Sequence, residues 1–496
     1  MEILRSVGYL PSRSGVTKAP AREMRRTMTV AQGSGITRGL VVAGMGGGTG
    51  KSVVAVGIAA ALARRGLRVA PFKKGPDYID AGWLALAAGQ PCYNLDPYLM
   101  TPEAMRLSFG RHAANADVVL VEGNRGLYDG VDVEGRCSTA ELAKLLKLPV
   151  LLVVDCTKTT RTVAALVLGC RELDREVRIA GVVLNRIGSS RHEALVREAV
   201  ERYTGIPVVG AIPRSRHDVF PQRHLGVTPT PEHGAADAAI GALAERTAQY
   251  LDLGRITALM AAVEATTAPI AIAPTPAEAS VRIGYLKDAA FQFYYAENLE
   301  ALAQAGAELI PINALTAATL PEIDGLYIGG GFPETSAREL AANAGFRAAL
   351  KKAAEEGLPI YAECGGLIYL GEQLTLEGVD YPLVGLFPIH FTLQRKPQAH
   401  GYTVLTADGD NPFYARGETI KGHEFRYSKV EYYGGDPARL AFRMERGVGF
   451  TDGRDGLVMN NVLALYTHIH ALGTPTWAPA LVRAAQAFRM ARGCSA

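Results

Sequence analysis

The feature that most constrains this chain is a regular alternation of short apolar runs with helix-forming stretches, which begins at Gly39. Continuous runs of about five Val, Ile and Leu residues are typical of strands buried on both faces, and helices between such strands make a sheet parallel. The pattern therefore predicts an α/β doubly wound fold. The apolar runs of the first half read GLVVAG, LRVAPFK, DVVLVEG, VLLVVD, IAGVVLNR and VVGAIPR.

Changes in composition divide the chain into four predicted segments. Residues 1–36 are dotted with Arg and lack the apolar core of a secretory signal, which predicts a flexible extension. The alternation predicts a first domain over 37–253, and an Ala/Pro/Thr-rich stretch predicts a linker over 254–280. Because the alternation resumes at VRIGYLKD, we expect a second doubly wound, mostly parallel-sheet domain over 281–490.

Charge and cysteine usage exclude several classes of protein. The chain has 52 Lys and Arg against 49 Asp and Glu, and so small a basic excess argues against a nucleic-acid binder. Its six cysteines show neither a CxxC pair nor a Cys/His ligand spacing, which argues against a zinc site or a disulfide framework. No apolar run reaches the roughly 18 residues that cross a bilayer. We therefore expect a cytoplasmic protein that binds neither nucleic acid nor membrane.

A glycine-rich loop joins the first predicted strand to the first predicted helix. Its backbone N–H groups can face phosphate oxygens at the positive end of the helix, while Lys51 reaches the β- and γ-phosphates and Ser52 ligates Mg²⁺. The loop is one residue longer than the usual P-loop and resembles that of dethiobiotin-synthetase-like enzymes. The alternative is a glycine-rich turn with an incidental lysine. The predicted ATP contacts of this loop are Gly44, Gly46, Gly47, Gly48, Thr49, Gly50, Lys51 and Ser52.

Polar residues also follow other predicted strands, at the sheet edge where ligands of open α/β sheets bind. Glu122 ends a buried strand, where it is predicted to hold Mg²⁺ directly or through water. Asp77, Asp80 and Asp129 lie in KKGPDYID and EGNRGLYDG, and the alternative for each is capping or turn chemistry beside Gly and Pro. Asn185 closes VVLNR, where either contact with the nucleotide or a structural role fits the pattern.

The second domain contains a candidate nucleophile. The segment LPIYAECGGLIYL places Cys364 at a predicted strand-to-helix turn, the arrangement of a nucleophile elbow. Such a position lowers the pKa of a thiol and leaves it open to a carbonyl carbon. His468 in LYTHIH is the candidate base. The alternatives are a buried structural cysteine, and His423 or His470 in place of His468.

A second glycine-rich loop, IGGGFPE, accompanies the elbow. An acyl-transfer site needs N–H donors for the oxygen that becomes negative in the transition state. The predicted oxyanion-hole residues are Gly330, Gly331 and Gly365.

Taken together, these motifs resemble the cobyrinic acid a,c-diamide synthase family from about Gly39 to Ala487. The family joins an ATP-dependent amidoligase domain to a class I glutamine amidotransferase domain of the Triad type. The segments that carry the resemblance are GMGGGTGKS, FKKGPDYID, NLD, EGNRGLYDG, VVLNRIG, FQFYYAENL, GGGFPE, AECGG, GHEFRYS and YTHIH.

The resemblance implies amidation of the a and c carboxylates of cobyrinate in cobalamin biosynthesis. Glutamine is hydrolysed at the cysteine, and its ammonia attacks a carboxylate that ATP has activated as an acyl phosphate. The implied partners are a tetrapyrrole acid and L-glutamine, with Mg²⁺ as cofactor and ATP as co-substrate, and a homodimer is left open. Because Mg²⁺ takes only one or two protein carboxylates, at least one of Asp77, Asp80 and Asp129 should serve the substrate or the acyl-phosphate step.

Several residues depart from the family pattern. The departures resemble the sequences of a branch of the family that is linked to amidation of sirohaem; they are EGNRGL, GPDYIDAGWL and Arg426. Sirohaem or another sirohydrochlorin-type tetrapyrrole is therefore the alternative substrate. His470 stands where Triad enzymes usually carry a carboxylate, whose role is vacant or supplied elsewhere. A partition-type P-loop ATPase without ligase activity is less favoured, because the cysteine and histidine are both intact.

Overall fold

The structure is a computed structural model that describes residues 36–215, 222–223, 226–227, 235–266 and 281–493. Residues 1–35 of the predicted extension and residues 267–280 of the predicted linker lie outside the described residues.

The first half of the chain alternates strands and helices as the apolar runs predict. Short strands and a pair of helices beyond Pro213 complete this half. Its elements are β1 (Arg38–Gly44), α1 (Lys51–Arg64), β2 (Val69–Lys74), α2 (Ile79–Ala88), β3 (Tyr93–Leu95), α3 (Pro102–Ala113), β4 (Val118–Gly126), α4 (Thr139–Leu145), β5 (Val150–Asp155), α5 (Thr162–Leu173), β6 (Ile179–Ile187), α6 (Ser190–Thr204), β7 (Val208–Pro213), β8 (Gln222–Arg223), β9 (Gly226–Val227), α7 (Ala236–Tyr250), α8 (Leu253–Leu259) and β10 (Ala261–Ala262).

Strands β1 to β7 form one sheet with the order β3-β2-β4-β1-β5-β6-β7, which β10 joins by pairing with β1, while β8 and β9 pair only with each other. Neighbours along the path run parallel, whereas β10 runs antiparallel to β1. Val41 of β1 belongs to one apolar core and Val42 to another. Since successive side chains of a strand face opposite sides, helices cover both faces of the sheet, and the doubly wound prediction is confirmed.

Local sequence signals set the ends of several helices. Thr101 accepts a hydrogen bond from the N–H of Ala104 and Pro102 begins α3, a usual helix start. Ser189 caps α6 in the same way, and Gly205 ends it in the left-handed conformation that glycine adopts without strain.

Part of the predicted linker is packed on the first half. Residues 253–262 form α8 and β10, and the side chains of Ile256 and Met260 are buried in the core. The apolar residues in this Ala- and Thr-rich stretch recur at helical spacing, which composition alone conceals. The domain limits themselves stay a prediction.

The second half of the chain forms another α/β sheet with helices and contains further strands outside that sheet. Two 3-10 turns, Pro333–Ser336 and Pro437–Arg439, accompany its regular elements. These elements are β11 (Val281–Leu286), β12 (Phe291–Phe293), α9 (Ala296–Gln304), β13 (Ala307–Ile312), β14 (Gly325–Ile328), β15 (Gly330–Gly331), α10 (Ala337–Ala342), α11 (Ala344–Glu355), β16 (Ile360–Glu363), α12 (Gly365–Leu370), β17 (Gln373–Leu376), β18 (Val379–Pro382), β19 (Ile389–Leu393), β20 (Ala399–Ala407), β21 (Thr419–Arg426), β22 (Ser428–Tyr433), β23 (Phe442–Arg446), β24 (Arg454–Asp455), β25 (Leu457–Met459), β26 (Val462–Leu465), β27 (His468–Ile469) and α13 (Trp477–Gly493).

The central sheet of this half has the order β13-β11-β14-β16-β26-β25, and only β25 runs antiparallel to its neighbour. Two larger sheets flank it, with the orders β18-β17-β19-β22 and β24-β23-β20-β21-β27, and β12 pairs with β15 in a two-stranded sheet. The prediction of a second, mostly parallel α/β domain is confirmed, and the two flanking sheets are additions to it.

Buried polar contacts join the two halves. The backbone N–H of Asn94 donates to Glu297 Oε1 at 2.8 Å, and the hydroxyl of Tyr93 donates to Glu300 Oε1 at 2.7 Å. Both glutamates lie on α9 of the second half, and both partners lie on β3 of the first. In the part of the chain that the structure describes, no helix combines the length and apolarity needed to span a bilayer.

Candidate active site

The predicted phosphate loop connects β1 to α1 with its glycines open toward one side. Built Cβ atoms on Gly46, Gly47 and Gly48 would meet no atom within 4 Å. Gly50 has a φ of 90°, and a Cβ there would collide with the amide of Asn185. Glycine is therefore required at position 50, and the loop leaves free space where phosphate oxygens would lie.

The role of Asn185 as a nucleotide contact stays a prediction, and the structure shows which protein groups its side-chain amide binds. Its Nδ2 donates to the carbonyl of Thr49 at 2.8 Å, and its Oδ1 accepts from the N–H of Arg186 at 2.9 Å. Since both ends of the amide bond protein groups, Asn185 holds the phosphate loop from behind.

Behind the loop, a lysine that the sequence analysis did not single out is enclosed by acidic residues. Lys73 Nζ, fully buried, lies 2.8 Å from Asp80 Oδ2 and 3.0 Å from Glu122 Oε1. The hydroxyl of Ser52 donates to the same two oxygens, at 3.0 Å and 2.6 Å. Four elements, α1, β2, α2 and β4, thus converge on one polar cluster.

The electrostatics of this cluster differ between its two carboxylates. Burial opposes the charge of Lys73, but the carboxylates of Asp80 and Glu122 raise the pKa of its ammonium group. Burial likewise opposes the charge of Asp80, yet Lys73 lowers the pKa of that carboxyl to about 2. Burial, together with the charge of Asp80, raises the pKa of Glu122 to about 7. Glu122 is therefore the carboxyl that changes protonation near neutral pH.

The cluster fits the partial coordination that Mg²⁺ takes beside a nucleotide. Glu122 Oε2 is buried without a hydrogen-bond partner, and the Ser52 hydroxyl and Asp80 carboxylate lie beside it. Over residues 36–215, 235–266 and 281–493, no group of three or more His, Cys, Asp and Glu residues forms a metal site by itself. Mg²⁺ in such sites completes its shell with water and phosphate oxygens, so two carboxylates and a hydroxyl suffice.

The other two predicted acidic residues have local roles. Asp77 Oδ1 accepts the N–H groups of Ile79 and Asp80 at 2.9 and 3.0 Å at the start of α2, and its other oxygen lies 3.9 Å from Lys73. Asp129 Oδ2 accepts the N–H of Gly126 at 2.8 Å. The capping and turn alternatives thus describe these contacts.

The predicted nucleophile occupies a strained turn between β16 and α12. Cys364 has a φ of 46° and ψ of −95°, a conformation that non-glycine residues rarely adopt. His468 lies on β27 and its ring stacks on that of His423, with centroids 4.9 Å apart. Burial opposes the charge of His468, but Cys364 and Glu363 together raise the pKa of its imidazole to about 10. The structure thus brings the predicted cysteine and histidine together.

The three predicted oxyanion-hole glycines have different surroundings. A Cβ on Gly330 would collide with the ring of His468, so this glycine makes room for the imidazole. A Cβ on Gly365 would lie 3.0 Å from the backbone N of Gly331. Of the three, only Gly331 lines the space in front of Cys364. The oxyanion role stays a prediction.

One cavity of about 770 Å³ contains both sites. Asp77 and Asp129 face it as well, and three cationic side chains, Lys74, Arg125 and Arg446, lie on its wall. Arg426, one of the residues that depart from the family pattern, also borders the cavity, but its guanidinium donates to the carbonyls of Ser428 and Gly449, both at 2.7 Å. The residues that define the two ends are Lys51, Ser52, Asp80, Gly331, Cys364 and His468.

Tyr78, which the sequence analysis also missed, lies between the two sites. It belongs to the turn that carries Asp77 and Asp80, yet its ring stacks on Tyr295 at 4.4 Å and lies 5.5 Å from the ring of His468. No local signal marks such a residue, because its neighbours come from the other half of the chain.

Comparison with known proteins finds matches to both halves. A family model described as a CobQ/CobB/MinD/ParA nucleotide binding domain matches residues 40–225. A second, described as a CobB/CobQ-like glutamine amidotransferase domain, matches residues 282–476. Among solved structures, the match to one of a glutamine amidotransferase covers 42% of this chain and 97% of that chain, at 20% identity and a TM-score of 0.30.

Similar proteins extend over most of the chain. One from Magnetococcus marinus, named cobyrinate a,c-diamide synthase, is 44% identical over 445 residues, which cover 88% of this chain and 94% of that protein. Proteins of the same name from Dehalococcoides mccartyi and Archaeoglobus fulgidus are 41% and 38% identical. Each match covers 90% of this chain, and the matches cover 98% and 97% of the two relatives, respectively. The matches therefore include both ends of the cavity.

Proposed function

Because this chain belongs to the family of cobyrinate a,c-diamide synthases, we propose that it uses ATP and glutamine to amidate the a and c carboxylates of cobyrinate in cobalamin biosynthesis. Such an enzyme is a glutamine-hydrolysing, ATP-dependent carbon–nitrogen ligase. The observation that carries the proposal for this chain is the single cavity onto which the phosphate loop and the cysteine turn both open.

The phosphate loop is proposed to bind ATP for activation of the substrate. A carboxylate oxygen of the macrocycle attacks the γ-phosphorus, the bond to the β-phosphate oxygen breaks, and ADP leaves an acyl phosphate. Lys51 stabilises the charge on the transferring group, since catalysis here is mainly positioning and electrostatics. Ser52, Asp80 and Glu122 would hold Mg²⁺, which reduces the repulsion between two anions when it is bound.

Glutamine is proposed to be hydrolysed at the other end of the cavity. The thiol of Cys364 gives its proton to His468, and the sulfur attacks the side-chain amide carbon of glutamine. His468 then protonates the departing ammonia, and water cleaves the γ-glutamyl thioester to glutamate. Placement of Cys364 and His468 on the same cavity wall supports this division of roles.

Ammonia released at the cysteine end is proposed to reach the acyl phosphate inside the cavity. Its nitrogen attacks the acyl carbon, the amide forms, and inorganic phosphate leaves with the electron pair of the broken C–O bond. The common space supports transfer without release to solvent, where ammonia would be protonated and lose its nucleophilic electron pair.

The substrate is proposed to lie against the cationic wall. Lys74, Arg125 and Arg446 line the cavity that the two ends share. A tetrapyrrole with several carboxylates requires positive partners, because charge-assisted hydrogen bonds offset the desolvation of each carboxylate.

The test is a balanced assay of the purified chain with Mg-ATP, glutamine and, in parallel, cobyrinate, sirohaem or nickel-sirohydrochlorin. We expect ADP, glutamate and the amidated macrocycle in equal amounts per amidation, with cobyrinate the fastest substrate. Faster amidation of sirohaem would transfer the activity to that macrocycle. ADP release that is independent of both the macrocycle and glutamine would contradict ligase activity altogether.

A matched variant separates the two ends of the cavity. Lys51→Ala should stop amidation with glutamine and with ammonia alike, because the phosphoryl transfer loses its cation. Glutaminase activity should remain at least in part. Normal amidation by this variant would refute the assignment of the phosphate loop.

A further inference from the structure

A buried carboxylate stands behind the histidine of the cysteine site. Glu363 is the last residue of β16 and directly precedes Cys364 in the chain. Its side chain is fully buried, and its Oε2 lies 3.6 Å from Nδ1 of His468. A glutamate so placed in an apolar strand needs polar partners, because an unpaired buried charge is strongly destabilising.

Two donors fix this carboxylate in position. The hydroxyl of Tyr327 donates to Oε2 at 3.0 Å, and the N–H of Ile469 donates to Oε1 at 3.1 Å. Ile469 follows His468 on β27, so the same carboxylate binds the strand that carries the histidine. Asn298 supports the arrangement, since its amide donates to the hydroxyl of Tyr327 at 3.2 Å and to the carbonyl of Ile469 at 3.0 Å.

The imidazole itself lacks a partner on the side that faces Glu363. Nδ1 of His468 is buried and has no hydrogen bond within 3.5 Å. The other faces of the ring are occupied by Gly330 at its edge and by the ring of His423 in a stack. Hydrogen bonds at catalytic histidines are often long before the substrate binds and shorten in the reacting complex, so a separation of 3.6 Å is within reach of a small ring movement.

We propose that Glu363 is the positioning residue of the glutaminase site: it accepts the Nδ1 proton of His468 and thereby directs Nε2 toward the thiol of Cys364. The inference rests on the proposed function and completes its cysteine half. Position 470 carries a histidine and so cannot supply the carboxylate that orients His468. The proposal assigns that role to Glu363, the residue immediately before the nucleophile.

The proton balance shows why such a partner matters. Once Nε2 holds the proton of Cys364, the reacting form is a thiolate beside an imidazolium, which carries its other proton on Nδ1 toward Glu363 and loses its charge only at alkaline pH. When Nε2 takes the thiol proton, the imidazolium carries a positive charge next to Glu363, and the carboxylate stabilises it. The charge disappears again when His468 gives the proton to ammonia. The carboxylate of a Ser-His-Asp triad stabilises its imidazolium in the same way.

The chain offers a matched control for this pair. His470, the other histidine of YTHIH, lies 3.7 Å from Glu297 through its Nε2, and both residues are buried. Glu297 lies on α9 and accepts the N–H of Asn94 from the first half. A buried His–Glu pair of nearly the same separation thus exists away from the thiol.

The test compares Glu363→Gln with Glu297→Gln in the full chain. For Glu363→Gln we expect glutaminase kcat to fall by at least about tenfold, within the ~10⁴-fold range known for amide replacement in a triad. The KM for glutamine should change little, and amidation with ammonia should be retained. Glu297→Gln should leave glutaminase kcat within about twofold, because the thiol site keeps its own carboxylate.

The pH profile separates positioning from a merely structural role. Groups facing His468 are Cys364 and Glu363 on the elbow, His423 and Glu424 on β21, and Tyr78 of the first half, and the Gln variant changes only one of them. Loss of the carboxylate should lower the pKa of His468. The alkaline limb of kcat/KM for glutamine should therefore move to lower pH in Glu363→Gln and stay unchanged in Glu297→Gln.

Each outcome decides the inference. Unchanged kcat and unchanged alkaline limb in Glu363→Gln would overturn it, as would an equal loss of ammonia-dependent and glutamine-dependent amidation, which indicates damage to the fold. If Glu363→Gln does not fold, Glu363→Asp decides: the shortened carboxylate should lower kcat while the alkaline limb stays in place, and unchanged kcat would refute the proposal. Absence of glutaminase activity in the unaltered chain would instead refute the proposed function.

Discussion

The two ends of the cavity are built at the carboxyl ends of strands in two different sheets, and they differ in how complete they are. The phosphate loop and the cysteine turn each follow a central parallel strand, β1 in one half and β16 in the other. At the first end, Lys73 is surrounded by Asp80 and Glu122 and the glycine loop faces empty space. At the second end, a strained cysteine already adjoins its histidine.

This difference shows that the two sites are complete to different degrees. The charges of the first site are balanced among protein groups, and it needs phosphate oxygens and a cation before it can act. The second site contains its nucleophile and its base within the fold. Hydrolysis of glutamine should therefore survive damage to the phosphate site, whereas amidation requires both.

The sharpest way to break this comparison is to remove the sulfur. Cys364→Ser should reduce glutamine-dependent amidation by roughly 10⁴-fold or more, because a neutral hydroxyl is a far weaker nucleophile than a thiolate. Amidation with added ammonia should persist, and product formation with each nitrogen source measures both. Loss with both sources would mean that the two ends are not separable.

A smaller effect is expected from the base. His468→Ala should lower glutaminase turnover by roughly 10²–10⁴-fold, the usual contribution of a general base. His470→Ala is the control, since its ring lies beside Glu297 and outside the cavity lining. Steady-state release of glutamate compares the two. A larger loss in the His470 variant would exchange their roles.

The Glu122 carboxyl at the phosphate end should make the stability of the folded chain depend on pH. The pKa of Glu122, raised from about 4.5 to about 7, means that the folded chain binds an additional proton between these pH values. The contribution of this carboxyl to the free energy of unfolding therefore increases as the pH falls from 7 toward 4.5, by roughly 3 kcal/mol at most.

Glu122→Gln should remove this pH dependence, because the amide does not titrate. Urea unfolding of the nucleotide-free chain at several pH values between 5 and 8 measures the difference from the unaltered protein. The exposed Glu355→Gln is the control and should follow the unaltered chain. A Glu122 variant with the original pH dependence would mean that the carboxyl is ionised throughout this range.

The smallest effect is expected on the binding of the tetrapyrrole at the cationic wall of the cavity. Arg125→Gln should raise the KM for the tetrapyrrole about tenfold, which corresponds to the ~1.4 kcal/mol of one charge-assisted contact. The KM values for ATP and glutamine should remain unchanged. Arg202→Gln, at an exposed arginine on α6, serves as control. Equal effects on all three substrates would place Arg125 outside substrate recognition.

The sequence predicts those parts of the fold that depend on neighbours in the chain. The strand, loop and helix from Arg38 to Arg64 are recognisable because apolar run, glycines and lysine follow one another. The flanking sheets of the second half are not, since a strand such as β18 (Val379–Pro382) is short and mostly exposed, without a buried face to give a period.

The same limit applies to the candidate site. Cys364 and the glycines beside it are visible in the sequence because the turn itself is local. Lys73 and Glu363 acquire meaning only through partners on other elements, Asp80 and Glu122 for the lysine and His468 for the glutamate. The contact of Asn185 with Thr49 is hidden for the same reason, because it crosses from β6 to the phosphate loop.

Helix α9 has a consequence for how this chain can be recombined. Its glutamates, Glu297 and Glu300, find hydrogen-bond partners on Asn94, Tyr93 and His112 of the other half. A second half joined to a foreign first half would bring two acidic side chains to an interface without donors. A functional chimera between relatives should therefore take the residues of β3, α3 and α9 from one parent.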